Sequence, residues 1–373
     1  MGQLLRRAGF VMAVVVFAPS TAGAQVYPDR IAIKARAAAV ALAPCPAGAQ
    51  VYPDRIVVKA RATTVSYQRR ARDDNREAQT ERTTKTVKVG NDGSLDLSNM
   101  AGDITVTRGG GSDATIEIVK TARGRDTSEA KSQLDLVTVD VTERAGRAEV
   151  RTHYANQMHG NINVSVAYNV TAPSATRVSA NSMSGSIKIT DIKGDISANT
   201  MSGDVRISGA TRINSAKSMS GTIEIADLKT DGGVDASTMS GDVRFRHVTA
   251  RRVNGGSVSG DVQLEDVDSE NVGAHSISGE ITFSGSLAKN GRYDIKTNSG
   301  EVRLTLTGNT GFEVDANSFS GDIRSDFPIT THGTGDSSSR RGPRRSLLHG
   351  TYGDGSAVIA ITTFSGSVVI GKK

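Results

Sequence analysis

The sequence predicts an all-β protein: a single-stranded β-solenoid of about nine to ten coils of 18–21 residues, with an N-terminal β-rich cap region containing one short helix. Three observations predict it. A Ser-Gly pair recurs at Gly185, Gly203, Gly221, Gly241, Gly260, Gly279, Gly300, Gly321 and Gly366. Apolar and polar residues alternate on both sides of each pair, the period of a half-buried strand. Forty glycines, with only 4% aromatics and no Trp, favour short strands and tight turns over an aromatic-rich core.

The repeat is defined by its columns. Counting from each Gly, the preceding residue is always Ser, and three before is always Ser or Thr, as in Ser182, Thr200 and Ser218. Two after is always Val or Ile, and four after is apolar except at Ser325. Seven before is apolar in all but one copy, and five before is usually Ala. Two before come Met183, Met201, Met219, Met239, Val258, Ile277, Asn298, Phe319 and Phe364.

The apolar phase shifts by one, from odd offsets to even ones, and the shift falls at the Ser/Thr-Met-Ser-Gly segment. An invariant Gly at a phase shift means a corner that needs φ > 0 or a close approach that a Cβ would block. Each repeat is then two short strands and two corners, and it must stack on its own copies to bury an apolar face. The period is too short for a propeller blade and lacks the leucine-rich pattern. Coils stacked at roughly 4.7–4.9 Å would make a rod about 40 Å long, with like residues in ladders. The Met/Ile/Phe ladder is expected inside, as core packing. Copper(I) favours thioethers, but Val258, Ile277, Phe319 and Phe364 share that column and cannot ligate a metal. The Ser/Thr ladder is expected to satisfy itself or the backbone.

The elements follow in order. Residues 1–24 read as a signal peptide: Arg6 and Arg7, the apolar run AGFVMAVVVFA, then Ala22-Gly23-Ala24. Residues 25–82 read as a charged, Ala-rich linker with a 25-residue tandem duplication, Ala22–Ala37 recurring as Ala47–Ala62, which regenerates an Ala-Gly-Ala site and makes cleavage after Ala49 the alternative to cleavage after Ala24. Cys45 in LAPC invites a lipoprotein reading, against which stand Pro44 and the distance from Met1. A lone cysteine excludes an intrachain disulfide framework. Residues 83–176 read as a first coil, SLDLSNMAGDITV, and a cap of longer strands. DTSEAKSQL is the one helix, opened by a Ser/Thr cap. Residues 177–373 are the repeats, with a basic loop inserted at about 328–355 before a last coil that closes the rod.

Chemistry is sparse. The column after each Gly is largely acidic, including Asp204 and Asp242, with Arg206 and Arg244 two residues further on. Stacked carboxylates could hold Ca²⁺, but the nearby arginines favour a surface charge ladder pairing with the neighbouring coil. The six histidines share no column, and a hydroxyl repeated at every corner cannot have a private His and Asp. No catalytic residue, cofactor or metal site is assigned. The net charge of +6 owes much to Arg69, Arg70 and Arg72 and to Arg340, Arg341, Arg344 and Arg345. The SRRGPRRS loop is the first candidate for an anionic partner, joined by the outward Asp204, Arg206, Asp242 and Arg244. Nucleic acid is disfavoured, since no aromatics for base stacking flank the loop.

The Ser-Gly-Asp-Val/Ile coils, the NMAGDITV block and the closing GDGSAVIAITTFSGSVVI together resemble a bacterial domain-of-unknown-function family of adhesin-like β-strand-repeat proteins, over roughly Thr83 to Gly371. The resemblance implies an exported β-solenoid with no catalytic residues to carry over. The expected role is an adhesive or scaffolding protein of the periplasm or cell surface, not an enzyme. Its partners would be envelope polysaccharide, lipid or protein, with end-to-end self-association at an open rod end. The alternative is a carbohydrate-active solenoid enzyme acting on an acidic polysaccharide, disfavoured by the scarcity of aromatics.

Overall fold

The computed structural model describes residues 77–155, 163–331 and 346–373, all within a compact unit running from Arg70 to Lys373. The signal peptide, Cys45, most of the linker and the arginines Arg340, Arg341, Arg344 and Arg345 lie outside the described residues. The fold is all-β. Every described strand joins one hydrogen-bonded sheet, and Thr127–Leu134 is the one helix among the described residues.

Each repeat gives one strand before its glycine and one after, and these stack into two parallel ladders. Before the glycine, Asp195–Ser202 lies between Arg177–Ser184 and Arg212–Ser220. This places Val178, Ile196 and Ile213 in one column and Ala180, Ala198 and Ala216 in the next, all buried. After it, Val205–Ser208 lies between Ile187–Thr190 and Ile223–Lys229, burying Ile187, Val205 and Ile223 together with Ile189, Ile207 and Ile225. Burying each Val or Ile contributes about 1.5–3 kcal/mol, so a rung is held mainly by three such side chains, with an Ala beside them. Val243–Ser259 and Val262–Ser278 run unbroken from one ladder into the other.

The corner falls at the Ser-Gly pair, where Gly203 has φ 144°. A second corner follows six residues later, in the left-handed region at Asp191, Asp227, His247 and Asp266. Beyond it Ile192, Leu228, Val248 and Val267 turn back inside, a further apolar column that the alternation in the sequence does not separate. One repeat has an apolar exception seven residues before its glycine. There the register shifts, Ile196 pairs with Ile213 while Ser197 pairs with Ser215, and the extra residue Asn214 bulges out exposed.

The SLDLSNMAGDITV block does take the place of a rung. Ser94–Ala101 lies in register on Arg177–Ser184, and Ile104–Arg108 on Ile187–Thr190. Arg147–Tyr154 and Val164–Ala172 continue the two ladders beyond it, followed by antiparallel Val137–Arg144 and Asp113–Gly124. Two expectations are corrected here. Among the described residues strand structure already covers Glu77 to Arg82 of the expected linker, because Glu77–Lys88 pairs along the whole of Asp113–Gly124. The helix is capped by Asp126, not by a hydroxyl. Its Oδ1 accepts from the Glu129 N–H at 2.7 Å, and a carboxylate suits a helix N-terminus.

The expected closing coil is also corrected. Ala357–Ser365 lies between Arg292–Ser299 and Phe312–Ser320, and Val368–Lys372 lies between Val302–Thr307 and Ile323–Ser325. The last repeat in sequence is thus the last but one in space. The outermost place is taken by Ser346–Tyr352, which returns antiparallel along Phe312–Ser320 and covers its edge. Phe312, Phe327 and Tyr352 pack their rings together there, with centroids 4.9–5.4 Å apart.

Candidate functional site

The repeat's conspicuous polar groups are used by the fold. Thr200 donates its hydroxyl to the Gly185 carbonyl of the neighbouring rung at 3.2 Å, and Ser218, Thr238, Ser257 and Ser276 do the same one rung on at 2.9–3.1 Å. These hydroxyls are buried, so each satisfies a carbonyl that water cannot reach. At the first rung Asn99 does this work, donating to the Gly102 carbonyl at 2.8 Å and the Val166 carbonyl at 2.6 Å.

The acidic column is also structural. Asp204 Oδ1 accepts the Thr222 N–H of the next rung at 3.0 Å, and Asp242 accepts the Asp261 N–H at the same distance. The second oxygen of each binds an arginine of its own strand, Arg206 at 2.8 Å and Arg244 at 2.7 Å. The arginines were expected to pair across coils. The main contact is instead within the rung, because residues two apart on a strand share a face. Cross-rung contacts are secondary: Arg206 to Glu224 at 3.7 Å, Arg303 to Glu280 at 3.5 Å. The hydrogen bond from Arg303 to Glu301, with the charges of Glu301 and Glu280, holds its guanidinium above the ordinary range. Asp204, Arg206, Asp242 and Arg244 therefore lie together on an outer face but are already partnered. Among the described residues no group of three or more His, Cys, Asp or Glu side chains is placed to hold a metal ion.

The larger finding reverses the expectation for the Met column. Met183, Met201, Met219, Met239, Val258 and Ile277 point outward, with Met201 48% and Ile277 53% exposed. Met100 precedes them on the first rung, and Phe364 follows at 55%. The reason is parity. The buried set runs seven, five and three residues before the glycine, so the residue two before must face out. The Ser/Thr position is the inside one, despite being polar, because its hydroxyl is needed at the glycine carbonyl.

In space the column reads Met100, Met183, Met201, Met219, Met239, Val258, Ile277, Asn298, Phe364, Phe319, following the ladder order. The two phenylalanines, far apart in sequence, stack nearly parallel with centroids 4.8 Å apart. Small Asn298 between Ile277 and Phe364 leaves a groove of about 550 Å³, walled also by His275 and Lys296. Monomeric proteins seldom expose so long a contiguous apolar strip without using it.

Among the described residues no helix is long and apolar enough to cross a membrane. The family model that matches the chain is described as Toastrack DUF4097 and spans residues 93–370. Among solved structures, a candidate adhesin from Bacteroides fragilis is similar at 13% identity and TM-score 0.38, covering 78% of this chain and 96% of the other. A candidate adhesin from Parabacteroides distasonis has 11% identity and TM-score 0.37, covering 78% and 97%. A candidate lipid-binding protein from the same species has 14% identity and TM-score 0.34, covering 61% and 90%. No curated protein matches the sequence.

Proposed function

The chain belongs to the Toastrack DUF4097 family, and on that premise we propose that it is an exported, non-catalytic interaction protein of the bacterial envelope, adhesive or scaffolding in role. Its body is a β-solenoid of nine to ten coils with an N-terminal cap, a shape built to present one long face. The observation that carries this reading is the outward apolar strip from Met100 to Phe364. A stable fold gains nothing from eight half-exposed apolar side chains in one line, whereas a contact surface does.

The non-catalytic part is supported by how the polar groups are spent. Hydroxyls bind glycine carbonyls, acids bind backbone N–H groups and arginines, and each arrangement recurs from rung to rung. Partners of polysaccharide, lipid or protein chemistry would meet the strip and the charged columns beside it.

The test is location and activity together. Protease added to intact cells should cut the chain at the Arg340–Arg345 segment, and the purified chain should turn over no acidic polysaccharide in a substrate panel. A chain recovered only from the cytoplasm, or a turnover abolished by one point substitution, would overturn the proposal.

A further inference from the structure

We infer that the apolar strip is a self-association surface, on which two copies pair side by side, parallel and in register. This rests on the reading of the strip as a contact surface and names its partner.

The first argument is area. Eight half-exposed apolar side chains in one row make a patch on the order of several hundred Å². That is the scale of each partner's share, about 800 Å², in a standard interface. The second is periodicity. The strip is a straight row whose side chains recur at the strand spacing of roughly 4.8 Å. A second copy of the same row has the same repeat, so its side chains meet rung for rung over the full length. A helix, rising 5.4 Å per turn, drifts out of step within a few turns.

The third argument fixes orientation. Asn298 is the one polar residue in the column, and it stands eighth of ten rungs in spatial order. If the copies run parallel, Asn298 faces Asn298 and the two amides can donate to and accept from each other. If they run antiparallel, Asn298 faces the rung of Met201, where an amide finds no partner in a dry interface. A lone buried Asn pair sets register in this way in coiled coils.

The experiment uses the full chain with Cys45→Ser as background. Sedimentation equilibrium should give twice the chain mass, and Met201→Glu/Ile277→Glu should sediment as a monomer with its thermal unfolding retained. Under mild oxidation, Met183→Cys should link to itself in high yield, because parallel pairing sets the second rung against its own copy. A Met183→Cys dimer that does not cross-link, or a dimer unmoved by the Glu pair, overturns the inference. A monomeric parent also overturns it. In that case, loss of envelope binding in the Glu pair leaves the contact-surface reading standing with another occupant, and unchanged binding removes both.

Discussion

A β-carbon built on Gly203 would stand 2.3 Å from the carbonyl oxygen of Gly185, the equivalent glycine one rung away. The glycines form a column of backbone against backbone, and neither partner can move without parting the ladder. Gly203→Ala should therefore cost on the order of 2–4 kcal/mol, combining the strain of φ 144° with overpacking. Gly256, whose β-carbon would meet nothing within 4 Å, is the control. Gly256→Ala should be neutral or slightly stabilising. Urea denaturation of both variants checks this, and equal losses would contradict it.

The buried hydroxyl column gives a graded prediction. Thr200→Val keeps the shape but leaves the Gly185 carbonyl without its donor, and should cost about 1–3 kcal/mol. Thr200→Ser should retain most of the stability. The denaturation midpoints decide.

How far this was legible in the sequence depends on the column. The corner glycine and the inward Val/Ile positions follow from alternation and invariance, and the rung at Gly102 was readable from its filled columns despite its distance. The Met column was misread because the corner was set one step too early. Grouping Met201 with Val205 and Ile207 made one apolar set, and Thr200 looked too polar to be inside. Its hydroxyl's carbonyl partner lies on another rung, which no local pattern displays. The spatial order of the last two repeats was illegible for a related reason: Gly321 and Gly366 carry equivalent columns, so either could stack on Gly300. The stacked pair Phe319 and Phe364 could have suggested the adjacency only once the column was known to be exposed.

Asn214 offers an unusual deletion test. Removing one residue from a strand normally turns every following side chain to the wrong face. Deleting Asn214 instead removes the bulge that separates Ile213 from the Ser215 register, so the protein should fold with its stability intact. Deleting Lys217, three residues on, should abolish the cooperative transition. Thermal melts of the two deletions compare them directly.

Tyr168 sets the alkaline limit. Burial pushes its hydroxyl up to about 12, the hydrogen bond with Thr152 works against this, and Tyr154 nearby adds to it. The folded protein holds this proton more tightly than the unfolded chain, whose tyrosines ionise near pH 10. Its contribution is whole below about pH 10 and is lost as pH rises toward 12, by up to about 2–3 kcal/mol. Tyr154 and Tyr293, both raised by burial, add to the same slope. Unfolding midpoints from pH 9 to 12 should fall in the parent and fall less in Tyr168→Phe.

The central claim is that the repeat keeps its chemistry inside and offers its Met column as a contact surface. The most direct measurement takes the purified Met201→Glu/Ile277→Glu variant and records its thermal unfolding and its sedimentation equilibrium beside the parent. The account predicts a retained cooperative transition and a mass halved from that of the parent dimer. A collapsed fold would place the column in the core, and an unchanged mass with a retained fold would show that the strip is not the contact surface.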